Sequence, residues 1–274
     1  GSASRSLQPT LYWFAERFNR LDWLYGEQER LLTNASTLGK KQAASSLDRL
    51  LPLALLWMGD SSSAPEIQMP LNWNSESETP VTVHRNSWVD PDATFVGLKG
   101  GSPSANHGQM DIGSFVLDAC GVRWAMDLGA EGYHGIESRG MNLWNRSQDS
   151  DRWTIFRQGN EGHNTLVIDG QPQRVSGKGR IIKFFDDPES PHSIVDLSEV
   201  YWGQAKSVLR GTALVDSANV LIQDQLSGLE PGSRVRWGMI TPATVKALEG
   251  SRIELRQEGK TLVMTLLAPG GSQW

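Results

Sequence analysis

The sequence predicts a mainly β protein, a multi-stranded antiparallel β-sandwich preceded by a few α-helices. Two observations point there. From Val81 onward the chain is a succession of short runs rich in β-branched and aromatic residues, separated by Gly, Asp and Asn turns. Three- and four-residue apolar spacing, the mark of a helix, is confined to the first sixty or so residues.

Taken in order, Leu11, Phe14, Phe18, Leu21 and Tyr25 fall on one helical face. A second helical stretch is expected from about Ser45 to Met58, with Pro52 kinking it or starting a new turn. Both carry large apolar faces, Trp13 and Trp23 among them. They therefore belong to a larger helical domain or pack on the sheet. The stretch "GDSSSAPEIQMPLNWNSESETP" is rich in Ser, Pro and Asn without a period and reads as a linker. The expected division is a helical segment at 1–59, a linker at 60–80 and a sandwich at 81–274.

Within the sandwich the expected strands are Val81–Arg85, Thr94–Leu98, Ser114–Ala119, Val122–Asp127, Asn164–Ile168 and Ile181–Phe185. Ser193–Leu197, Leu209–Val215, Val220–Gln225, Arg234–Ile240, Arg252–Arg256 and Thr261–Leu267 follow. Ser114–Ala119 and Val122–Asp127 should pair across Cys120-Gly121, and "LVDSANVLIQD" should form a second hairpin. The chain ends at Trp274 just after a strand, so truncation is expected there. Gly1-Ser2 reads as a cloning remnant, so removal of any natural leader is expected too.

The 274 residues carry a formal net charge of −5. A slightly acidic chain without a clustered basic footprint argues against nucleic acid as a partner. The densest apolar run, Leu50 to Met58, is far short of the roughly 18–20 residues that span a bilayer. The single cysteine, Cys120, permits no internal disulfide. The eleven tryptophans are scattered over helices and strands, which favours core roles for most of them. No GxSxG, P-loop or strand-to-helix GxGxxG signature occurs.

The densest polar constellation is in "SANHGQMDIGSFVLDACGVRWAMDLGAEGY", Ser104 to Tyr133. His107, Gln109 and Asp111 alternate and would share one face if extended. The predicted hairpin brings Asp127 back near Ser114, within reach of Gln109, and "GNEGHNTLVIDG" supplies His163 at the start of another strand. Imidazole, carboxylate and amide oxygen are cation ligands. The same groups would serve equally as hydrogen-bonding partners in a polar loop. Arg139, Arg146, Arg152 and Arg157, interleaved with Trp144 and Trp153, suit an acidic sugar, because guanidinium forks match carboxylate and sulfate geometry. Asp149 and Asp151 offset that charge.

"NSWVDPDATFVGLKGG", "ANHGQMDIGSFVLDACGVRWAMDLG" and "EGHNTLVIDGQPQ" together resemble the heparinase II/III-like family of polysaccharide lyases. The resemblance implies that the helices are the end of an (α/α) toroid and the β portion is the sandwich stacked on it. It implies β-elimination on a uronate-containing polysaccharide such as heparin, heparan sulfate or alginate. His107 matches a catalytic histidine. Gln109, Asp127 and His163 match three metal-binding positions, with Gln109 standing where many members have histidine. That departure favours Ca²⁺ or Mn²⁺, or a weaker Zn²⁺ site, in a structural rather than redox role. Tyr133, Arg139 and Arg146 are expected to meet substrate. The resemblance also implies an upstream toroid domain as partner, toroid tyrosine and asparagine or histidine residues lying before Gly1, and a periplasmic or secreted location. The alternative is a non-catalytic carbohydrate-binding or structural sandwich.

Overall fold

The structure, a computed structural model, describes residues 8–27, 50–58, 66–216, 218–268, 270 and 274. Two compact units divide between Pro70 and Leu71.

In the first unit, helix α1 spans Pro9–Arg17. Pro9 fits its first turn, where an amide hydrogen has no helical acceptor. The helix does not continue to Tyr25 as the apolar spacing predicts. Asn19 takes a left-handed φ of 51° and a separate 3-10 turn covers Leu21–Leu24. Asp22 anchors that turn, accepting both forks of Arg20 at 2.8 Å and the Gln68 amide at 3.2 Å. Helix α2, Leu51–Trp57, starts at Pro52 instead of being kinked by it. The earlier part of that predicted helix lies outside the described residues. Tyr12, Ala15, Leu24 and Ala54 form the unit's core. Phe14, Phe18 and Tyr25, expected on one apolar face, are exposed: α1 buries Tyr12 and Ala15 instead, and it ends before Asn19, so Tyr25 is no longer in helical register with it.

The second unit is antiparallel β throughout its named sheets. One sheet orders β1 (Asn72–Asn74), β2 (Val81–Arg85), β3 (Phe95–Lys99), β4 (Phe115–Ala119) and β5 (Val122–Ala125). A second orders β10 (Asn219–Ser227), β9 (Ser207–Val215), β8 (His192–Asp196) and β7 (Arg180–Phe185). Strands β6 (Leu166–Ile168) and β11 (Val235–Trp237) pair with each other. Strands β12 (Thr244–Ala247), β13 (Arg252–Gln257) and β14 (Lys260–Thr265) complete the set. All twelve strands read from the sequence are present. The two additions, β1 and β12, are short. β1 falls within the stretch expected to be a linker; its Asn-Trp-Asn composition carries no apolar alternation, and pairing with β2 alone defines it.

Leu98, Phe115, Leu117 and Trp124 from the first sheet share one core with Val195 and Val208 from the second and with Ile253 and Leu255 of β13. The β4–β5 hairpin closes with Ala119 opposite Val122. Cys120 and Gly121 both have positive φ, 54° and 73°, as a two-residue I′ turn requires. No helix among the described residues is long and apolar enough to cross a membrane.

One inward position on β9 is an arginine. Arg210 is fully buried and meets Asp224 of β10 through two bonds of 2.7 and 2.8 Å. Its third arm donates to the carbonyls of Gly113 and Asn164 at 2.9 and 2.8 Å. The β9–β10 pair thus reaches through the core to the two chain segments that carry the candidate site.

Candidate functional site

The site grows from a tightly wound loop after β3. Gly108 turns it: a Cβ there would lie 2.5 Å from the Pro103 carbonyl oxygen, so only glycine fits. His107, just before, holds a left-handed φ of 56°. Few non-glycine residues adopt that conformation, and here it leaves the imidazole exposed to solvent. Three arginines hold the surroundings through carbonyl oxygens. Buried Arg152 donates to Gly108 and Leu143, each at 2.7 Å. Arg146 donates to Ser104 and Ala105 and reaches the Asn106 side chain. Arg157 donates to Leu128 at 2.8 Å. Burial lowers the Arg152 pKa, and neighbouring Arg146 adds to the effect.

In "RWTIFR" the alternation of residues alone would put Trp153 on one side and Arg152 on the other. They lie instead on a 3-10 turn, Asp151–Thr154, and both are buried. Arg139 stands exposed beyond a short helix α3, Tyr133–Glu137.

The loop then descends into the core. Met110 is buried against Trp153 and Val175. Ile112 is clamped by Gln173, which accepts its amide at 3.2 Å and donates to its carbonyl at 2.8 Å. Between them sits buried Asp111, and Gln109 is half-buried two residues earlier.

Asp127 follows the end of β5. Asn164 sets its position by donating to Phe115 O at 2.6 Å and Met126 O at 3.1 Å while accepting the Ile240 amide. The same residue places its neighbour His163, whose Nδ1 lies 2.9 Å from Asp127 Oδ2. A carboxylate only accepts, so Nδ1 is the donor in this bond. Asp127 Oδ1 accepts the Gly129 amide at 2.7 Å. The His163 bond first, and that amide next among the favourable contacts, hold the Asp127 carboxyl below the usual carboxylate range despite partial burial.

Asp111, Asp127 and His163 bring one ligand atom each to within 4.8 Å of the others. Asp111 Oδ1 and His163 Nε2 are buried without a hydrogen-bond partner. Lys99, the last residue of β3, pairs with Asp111 Oδ2. Two carboxylates and an imidazole with two partnerless atoms form a donor set that suits a divalent cation.

Of the residues expected from sequence, Asp127 and His163 come together directly. His107 stands on the same loop as Asp111, and its Nδ1 lies 3.5 Å from Tyr133 Oη. The third ligand atom, from a second carboxylate, comes from Asp111, whose place in the Gln109 row was the available signal. Asn164 and Lys99 were not singled out; a polar residue directly after His163 was the only hint of the first, and nothing local marks the second.

Residues 81–274 match the family model described as heparinase II/III-like, C-terminal. Among solved structures, a heparinase III (the BT4657 gene product) aligns at TM-score 0.61 and 18% identity, covering 89% of this chain and 35% of its own. The heparan sulfate lyase HepC from Pedobacter heparinus aligns at TM-score 0.58 and 18% identity, covering 86% and 33%. At such identity the likeness is one of fold, and the chain spans about a third of those proteins' length. No curated protein matches the sequence.

Proposed function

The chain belongs to the heparinase II/III-like family, and from that premise we propose that it is the sandwich portion of a lyase that cleaves a heparan sulfate-like polysaccharide by β-elimination. The observation that carries the reading is the presentation of His107. An exposed imidazole, held in a left-handed turn, stands beside Tyr133 on a loop whose other end is buried at Asp111.

β-Elimination removes the proton at C5 of the uronate, forms the C4–C5 double bond and expels the C4 oxygen with protonation of the leaving group. Negative charge builds on the uronate carboxylate, and preorganised donors lower that barrier most. His107 supplies a donor to this carboxylate or relays the proton, and Arg139 and the free edge of Arg146 bind acidic groups of the sugar chain. The remaining base and clamp residues come from an upstream toroid. The substrate class follows that of the structural relatives, a heparinase III and a heparan sulfate lyase.

Asp111, Asp127 and His163, with Gln109 alongside, would hold a divalent cation. Its chemistry there is charge neutralisation of two carboxylates, which fixes the lower end of the His107 loop. The parent enzyme acts in the periplasm or outside the cell.

The full-length parent should release unsaturated uronate, read by ultraviolet absorbance, from heparan sulfate, and His107→Ala should lower the rate by at least about a hundredfold, the usual scale for a lost acid–base or electrostatic group. Product formation at an unchanged rate in His107→Ala would reject the assignment.

A further inference from the structure

Beside His107 lies an aromatic pair that the proposed chemistry does not use. Tyr133 and Trp144 meet edge to face, ring centres 5.4 Å apart at 76°. Trp144 is 62% exposed, yet its orientation is fixed: the indole Nε1 donates to Glu137 at 2.8 Å. Its backbone is fixed as well, because the Asn142 side chain accepts the amides of Trp144 and Asn145, both at 3.1 Å. Tyr133 is also exposed, and its hydroxyl lies 3.5 Å from the His107 Nδ1. Arg146, two residues beyond Trp144, grips the His107 loop. Indole, phenol, imidazole and guanidinium therefore belong to one continuous surface.

A large apolar ring held in place on the surface is unexplained by packing. Its N–H is satisfied and most of the side chain is open to solvent, so apolar ring surface is what it offers. A flat π face, whose ring quadrupole is negative, suits the C–H side of a pyranose. A preoriented ring loses little rotamer freedom on contact, which favours binding. Arg146, two residues along the chain and seated on the His107 loop, complements an acidic sugar.

We propose that Trp144 is a stacking platform for a sugar ring of the acidic polysaccharide next to the unit that meets His107, and that Glu137 is the positioning residue that sets the angle of the indole. This deepens the lyase reading and rests on it for the identity of the sugar.

The test uses a heparan sulfate hexasaccharide titrated into this chain, followed by calorimetry and by the indole N–H resonances, with the Trp144 signal assigned by its loss in Trp144→Phe. The expected result is a shift of that signal and a roughly tenfold or greater weakening of affinity in Trp144→Ala, the scale of one lost aromatic contact of about 1.4 kcal/mol. Trp144→Tyr should keep most of the affinity. Glu137→Ala should broaden or move the free-state indole signal and weaken binding less than Trp144→Ala, with Glu137→Gln restoring the signal, because an amide oxygen still accepts. Equal affinity in wild type and Trp144→Ala overturns the platform, as does a wild type that does not bind while the full-length parent cleaves heparan sulfate. A full-length parent that yields no unsaturated product while Trp144-dependent binding persists overturns the lyase reading and leaves the platform standing.

Discussion

The buried imidazole of His163 donates from Nδ1 to Asp127 Oδ2 at 2.9 Å, and the Asp127 carboxyl is held below the usual carboxylate range mainly by that bond. The sign of the resulting pH dependence follows directly. A carboxyl with a depressed folded-state pKa contributes stability at pH values above its unfolded pKa, and that contribution is lost as pH falls through the folded value. Asp127→Ala should therefore be destabilised at neutral pH by about 2 kcal/mol, leaving a buried donor unpaired. The difference from wild type should narrow in strongly acidic buffer. Urea denaturation at both pH values checks this; an identical midpoint difference at the two would contradict it.

Lys99 supplies the cationic charge nearest to the Asp111 carboxylate. A bound divalent cation would meet this ammonium at close range, and like charges repel. Lys99→Met should lower the melting temperature in chelator and show a larger upward shift with Ca²⁺ or Mn²⁺ than wild type shows, since ligand stabilisation grows with affinity. Differential scanning calorimetry with and without each cation reads the effect. Equal cation-induced shifts in the two proteins would remove Lys99 from the site's charge balance.

His84 is buried on β2. Its Nδ1 lies 2.9 Å from Asn72 Oδ1 on β1, its Nε2 lies 2.6 Å from Ser193 Oγ on β8, and its ring stacks on Phe184. Burial first, and then the nearby His192, push its pKa down to about 4, against an opposing pull from Asp186. The folded state thus favours the neutral ring. Stability from this residue is intact above the unfolded pKa near 6.5 and declines as pH falls toward 4, by roughly 2–3 kcal/mol in all. In His84→Leu that decline between pH 7 and pH 4 should shrink by a similar amount, even though the variant is less stable at pH 7. Chemical denaturation across this range decides it.

Arg210 and Asp224 form a buried pair that also satisfies two backbone carbonyls beneath the site. Asp224→Ala leaves a fully buried guanidinium without its counter-charge and should cost about 3–5 kcal/mol. Because Arg210 holds Asn164, the loss should also loosen His163. Hydrogen exchange at the His163 and Asn164 amides should rise more than at the distant β13 amides. Uniform acceleration across the sheets would indicate global destabilisation alone.

The strands were legible because their signals are local. Alternation along Arg252 to Arg256 writes the buried face of β13 directly, Ile253 and Leu255 pointing inward, and Cys120-Gly121 marks a two-residue turn. Strand β1 was not legible, since Asn72, Trp73 and Asn74 become a strand only through pairing with β2. The helical face was misread for a related reason: the spacing from Leu11 to Tyr25 is periodic, but the break at Asn19 divides it, and a single left-handed residue leaves no mark on periodicity.

The sequence alone determined the antiparallel β class, the β4–β5 hairpin and the presence of imidazole, amide and carboxylate groups at spacings that would let them gather. It did so because side-chain alternation and turn chemistry act over a few residues. Only the tertiary structure decided what those groups face. It set Lys99 on Asp111, turned Arg152 and Arg146 onto loop carbonyls, and seated Asn164 between β4, β5 and Ile240. Each of these rests on a buried polar group meeting a partner far away in the chain, and the need to satisfy such groups away from water selects the partner only once the sheets are packed.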